Sequence, residues 1–171
     1  LDAEELRDSV LAVSGTLDSR MGGPGFALFH FQDDHSPIYD HTAPGAIDNP
    51  QVRRRTIYRF IVRSVPNPFL ECLDGADPNL NTPVRSTTIT ALQALALLND
   101  VFMVNQARAF ARRLEAVQPD PRRRIDAAFA AALGRPPRAV ERDALAAYAR
   151  QHGLANACRL LFNTNEFLFV D

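Results

Sequence analysis

The chain has 171 residues, 46% of them hydrophobic, 23% charged and 8% aromatic, with a formal net charge of −1. That composition is that of an ordinary globular domain, and a chain of this length buries about 70% of its unfolded surface without help from a metal or disulfide. It excludes a disulfide scaffold, since Cys72 and Cys158 are the only cysteines, and no apolar run approaches the roughly 20 residues needed for a membrane span.

The charge is unevenly spread. Residues 1–50 hold nine acids against two arginines, and residues 51–171 hold seventeen arginines against eleven acids. An acidic first third packing on a basic remainder accounts for this. All nineteen basic residues are arginine, and Arg53-Arg54-Arg55 and Arg122-Arg123-Arg124 are the only basic clusters. They read as solvated N-terminal faces of helices. A near-neutral total, without the clear positive excess usual in nucleic-acid domains, speaks against a nucleic-acid partner.

In chain order, Asp2 to Ser14 reads as a helix. Asp2 and Glu5 have capping-box spacing, Leu6, Val10 and Val13 share a face, and Gly15 is placed to stop it. Residues 16–50 break every periodic pattern and form a first long loop, which contains Met21-Gly22-Gly23-Pro24-Gly25. Those glycines do not make a phosphate loop, because the Gly-Lys-Ser/Thr ending is missing. Gln51 to Ser64 carries both helical spacing (Ile57, Phe60, Ile61, Ser64) and the strand-forming run Ile57-Tyr58-Arg59-Phe60-Ile61-Val62. The spacing favours a helix. Four prolines then impose a second irregular stretch, about 65–88.

Thr90 with Gln93 is a second capping box. Asn99-Asp100 restarts the helix, which continues to about Val117. Asp120-Pro121 opens another that ends at Gly134, Arg138 to Gln151 is followed by Gly153, and Leu154 to about Phe162 is the last. The tail Phe167 to Val170 reads as core packing, with a docking patch as the alternative. The expected architecture is a single all-α domain over 1–171, a helical bundle decorated by two long Pro/Gly-rich loops.

One constellation carries candidate chemistry. His30, Asp33, Asp34, His35, Asp40 and His41 put three imidazoles and three carboxylates within twelve residues. Such donors suit zinc, iron or manganese, and carboxylates with loop carbonyls suit calcium. Their spacing matches no standard metal motif, and a polar loop bonding its own backbone explains them equally well. Ser86-Thr87-Thr88 looks like a capping run and not a nucleophile elbow. Asp74 and Asp77 flank Gly75 in a turn where carboxylates accept backbone bonds. No catalytic residue is assigned. Neither cysteine has the second cysteine and histidine that a c-type haem requires, so no haem attaches within this chain. Cys158 falls on an apolar helix face as a small buried hydrophobe, although the two thiols could pair in an oxidising compartment.

Several separated segments stand in a distinctive order: Arg54 to Phe60, Pro66-Asn67-Pro68-Phe69, Asp74 to Pro78, Thr87 to Asp100, Leu133 to Pro137, and Leu161 to Asp171. Together they resemble the C-terminal part of the planctomycete-specific PSD domain, domain-of-unknown-function family 1553. Ala91 and Arg138 depart from its usual proline and threonine at two helix starts. The resemblance implies an uncharacterised interaction or structural module, a C-terminal piece of a large exported bacterial multidomain protein. It implies partner domains in the same protein, haem c only in those other domains, a link to polysaccharide, and a periplasmic or cell-surface location. The alternative is a metal-dependent hydrolase built on the 30–41 loop.

Overall fold

The computed structural model describes residues 1–31, 37–39, 49–86 and 88–169. α1 (Ala3–Ser14) opens with the Asp2 amide donating to Glu5 Oε2 at 3.0 Å. It ends at Gly15, whose φ of 77° lies in the left-handed region. A side chain there would also collide, since a Cβ would stand 2.8 Å from Arg113 Cδ. Leu6, Val10 and Leu11 turn one face of α1 into the core.

The core forms around the long helix α4. A short helix, α2 (Pro68–Cys72), interrupts the second irregular stretch, with Asn67 Oδ1 accepting from the Leu70 amide to cap it. α3 (Ala91–Asn99) follows, and α4 (Val101–Val117) starts afresh at Asp100, which caps the Phe102 amide at 2.8 Å. Met103, Ala107, Phe110, Ala111 and Leu114 recur at three- and four-residue spacing on α4, and all are buried. Against that stripe packs α7 (Leu154–Phe162), entering with Cys158, Leu161 and Phe162. The rings of Phe110 and Phe162 stack at 5.6 Å, and Phe167 of α8 (Asn165–Leu168) closes on Phe162 at 5.2 Å.

α5 (Pro121–Leu133) contributes Ile125, Ala128 and Phe129 to the same core. α6 (Ala139–His152) lies outside it, buries no residue fully, and rests on Leu145, Ala146 and Ala149. An Arg135 guanidinium bonded to both Glu141 and Glu166 ties α6 to α8. The protein is a mostly helical, all-α bundle. The one sheet among the described residues is a ribbon of β1 (His30–Phe31) and β2 (Pro37–Ile38), antiparallel, with His30 opposite Ile38.

Three expectations are corrected here. Residues 51–64 are not an α-helix: they form two single turns, Pro50–Arg53 and Thr56–Tyr58, separated and followed by extended backbone. The reason is long-range pairing. The Phe26 amide donates to the Tyr58 carbonyl (3.0 Å) and the Phe60 amide to the Phe26 carbonyl (2.8 Å), taking groups a helix would use internally. Second, Arg54 is not a solvated helix-face residue, being only 7% exposed. Arg122 and Arg123 do keep to an exposed first helical turn. Third, neither Ser86 nor Thr88 caps α3, because Thr90 does so by accepting from the Gln93 amide at 3.1 Å; Thr87 lies outside the described residues.

Candidate functional site

Neither loop has internal periodicity, so their order must come from side chains that reach across the chain. Arg7 is the first of these. It occupies the core-facing side of α1 beside Leu6 and Val10 and is 3% exposed. Its guanidinium donates to the carbonyls of Val52 (2.5 Å) and Arg54 (3.1 Å) and to Thr56 Oγ1 (3.0 Å). The rings of Phe26 and Phe102 approach it at 5.3 and 5.4 Å. Burial pushes the Arg7 guanidinium down to about 10, against an opposing pull from Asp8 and with a smaller push from Arg59. It remains a cation at neutral pH. Asp8, next along α1, accepts from the Thr56 amide at 2.8 Å and its hydroxyl at 2.6 Å.

Arg54 repeats the device one step outward. Its guanidinium donates to the carbonyls of Arg20, Gly22 and Pro24. It lies 4.0 Å from the Tyr58 ring, whose hydroxyl accepts from the Gly22 amide. Carbonyl oxygens that a structureless loop would leave to water are thus gathered on two arginines.

The two long loops meet at residues 57–65. Tyr39 Oη donates to the Val65 carbonyl at 2.8 Å, and Asn79 Nδ2 donates to the Arg63 carbonyl at 2.9 Å. Phe29 centres an aromatic cluster with Phe31, Tyr39 and Phe60 at 5.1, 5.6 and 5.9 Å. This cluster is not sealed into the core. Phe31 and Phe60 are more than half exposed, and Ile57, three residues before Phe60, is 76% exposed. The result is an exposed apolar face on the loops.

Of the metal-ligand candidates, His30 lies on β1 with its side chain exposed. Asp33, Asp34, His35, Asp40 and His41 fall outside the described residues. Among the described residues no three His, Cys, Asp or Glu side chains stand close enough to hold a metal ion.

Asp74 and Asp77 do not form a pair. Asp77 Oδ1 accepts from the Asn79 amide. Asp74, at φ 59°, accepts from the Thr88 amide (2.7 Å), the Thr88 hydroxyl and Gln93 Nε2 (3.0 Å). Burial pushes the Asp74 carboxyl up, but those donors outweigh it and hold it below the ordinary carboxylate range. A carboxylate held ionised in this way staples the second loop to α3 and is poorly suited to exchange protons near neutrality. A cleft of about 150 Å³ opens beside it, between α1, α3 and α8.

Both cysteines are free thiols, and burial pushes the Cys158 thiol up to about 12. That is the small buried hydrophobe expected from its helix face.

Sequence reasoning did not single out Arg7, Arg54 or the aromatic cluster. Arg7 carried a usable signal, since it lies four residues after Ala3 and three before Val10, within the apolar stripe of α1. No curated protein and no solved structure matches the chain. The model of PSD1, described as a protein of unknown function (DUF1553), matches residues 1–149, and the chain belongs to that family.

Proposed function

We propose that this domain is an interaction module of a larger, exported multidomain protein, and that the face where its two long loops meet engages a neighbouring domain. One observation carries the reading: Phe31, Ile57, Phe60 and Ile61 stand exposed on loops that Arg7, Arg54 and Tyr39 hold in place. Exposed apolar groups on an ordered surface mark sites of association. A pre-ordered loop also loses less conformational entropy on binding than a mobile one.

The test uses Ile57→Asp with Phe60→Ser, both at exposed positions. The doubly substituted protein keeps its helical circular dichroism and loses binding to the separately produced neighbouring domains of its parent protein. Retained binding by that variant sinks the reading. A second reading, a polysaccharide lying on the rings, draws on the Phe29–Phe31–Tyr39–Phe60 cluster, because sugar rings present C–H faces to aromatic side chains. Affinity electrophoresis with the same variant separates the two.

The competing proposal is a metal-dependent hydrolase on His30, Asp33, Asp34, His35, Asp40 and His41. Near-stoichiometric metal in protein purified without chelator, and a melting temperature lowered by EDTA, would favour it. On the interaction reading, His30→Ala changes stability by about 0.5 kcal/mol or less.

A further inference from the structure

Helix α3 buries only two of its nine residues, Gln93 and Leu97. On its other side Leu92 is 65% exposed and Leu95 56%, and Ile89, just before the helix, is 80% exposed. Three-residue spacing puts Leu92 and Leu95 side by side on the helix surface. A row of this kind is what a helix ordinarily turns to the core. Here it faces outward.

The polar groups beside this row are engaged within the chain. Gln93 Oε1 accepts from the Thr90 amide at 2.9 Å, Thr90 Oγ1 accepts from the Gln93 amide, and Asn99 Nδ2 donates back to the Leu95 carbonyl at 3.2 Å. No charged residue stands between Ser86 and Asn99. The flanking charges are also engaged: Arg85 pairs with Glu4 at 3.1 Å, and Asp100 accepts from the Phe102 amide at 2.8 Å.

That chemistry narrows what can cover the face. An interfacial helix on a membrane carries Lys and Arg beside its apolar row, and a nucleic acid needs a positive surface. A sugar needs rings or free hydrogen-bonding groups. α3 supplies none of these, so its complement is a protein face that is itself apolar and uncharged. α3 is such a face.

We propose that two copies of this chain associate through α3, packed antiparallel about a two-fold axis that passes between Leu92 and Leu95. In that register Leu92 meets Leu95 of the second copy, and Ile89 meets the half-buried Leu98. Apolar groups oppose apolar groups, and no charge is brought against its own copy at the axis. A two-fold contact requires this self-complementarity, and two-fold dimers are the commonest closed assemblies. Nine helical residues span about 14 Å. The contact therefore lies at the small end of specific interfaces, below about 1,200 Å² in total. Such a dimer is reversible, and its population rises with concentration. The proposal uses no residue of the loop face and does not depend on how that face is used.

The test is sedimentation velocity of the full chain from about 10 µM to about 1 mM, the range in which a weak contact populates. The mass rises from 18.9 kDa toward twice that value. Leu92→Glu with Leu95→Glu stays monomeric throughout, because like charges would be juxtaposed at the axis. Leu92→Lys with Leu95→Lys does the same. Mixed in equal amounts, the two double variants associate, since each acid then faces a base. Val140→Glu, at an exposed position on α6, leaves the association within about twofold. Circular dichroism shows that the variants keep their helices. A monomer at every concentration, a dimer that survives the paired glutamates, or no association on mixing overturns the proposal.

Discussion

Arg7 donates to the backbone carbonyl of Arg54, 47 residues away, at 3.1 Å, while the Arg54 side chain reaches on to the carbonyls of Gly22 and Pro24. One buried arginine therefore positions the backbone that carries the next. Helix α1 orders the turn at 50–58 in this way, and that turn orders the glycine-rich part of the first loop. The loop face inherits its geometry from a residue in the core.

Arg7→Met tests this chain of dependence. It leaves the Val52 and Arg54 carbonyls and the Thr56 hydroxyl without their donor, and costs about 3 kcal/mol of unfolding free energy. Arg55→Gln, at an exposed position in the same basic run, changes stability by about 0.5 kcal/mol or less. Urea unfolding followed by circular dichroism measures both. Equal effects would show that the buried network contributes nothing.

Gly15→Ala costs about 1 kcal/mol or more, because the backbone is left-handed there and the new methyl meets Arg113. Gly134 also has a positive φ, with open space around it. Gly134→Ala should therefore cost less than Gly15→Ala. Melting temperatures of the two variants, measured together, separate the steric part from the conformational part.

The contact between α6 and α8 is acid-sensitive. Hydrogen bonds from Arg135 and Arg138 hold the Glu141 carboxyl well below the ordinary range, and Arg135 does the same, more mildly, for Glu166. A carboxyl whose folded value lies below its unfolded one stabilises the protein above the unfolded value. That contribution is lost as pH falls through the folded value. The melting temperature should therefore drop progressively below about pH 4.5, where the unfolded-state glutamates protonate. Glu141→Gln lacks this contribution, so the gap between it and the parent protein narrows on acidification. A gap constant from neutral pH to strong acid contradicts the assignment.

Thiol reactivity distinguishes the two cysteines. Burial raises both thiols, with Asp74 and Asp100 adding to the effect at Cys72, and Cys158 sits in the core at 1% exposed. In native protein at mildly alkaline pH, an aromatic disulfide reagent should modify Cys72 slowly and leave Cys158 intact until denaturant is added. Rapid loss of two thiols from native protein would mean that the α4–α7 contact opens readily.

Much of the bundle was legible from local signals. Capping pairs at Asp2–Glu5 and Thr90–Gln93, the restart at Asp100, and the stops at Gly15 and Gly134 all coincide with helix boundaries. They could be read because a helix bonds to itself within four residues, so its period and ends are written in adjacent positions. Residues 51–64 misled the same logic. Ile57, Phe60 and Ile61 have helical spacing, yet all three are exposed and the backbone pairs with Phe26 instead.

The sequence alone determined the helical class, the place of Cys158 on an apolar helix face, and the family. Only the tertiary structure decided which arginines are buried, which rings form the open face, and which side of α3 stays exposed. The physical reason is separation along the chain. Arg7 and Arg54, Phe26 and Phe60, and Gly15 and Arg113 meet although they stand 34 to 98 positions apart, where no local period records the contact. Such contacts are set only when the helices have packed and brought donor and carbonyl together.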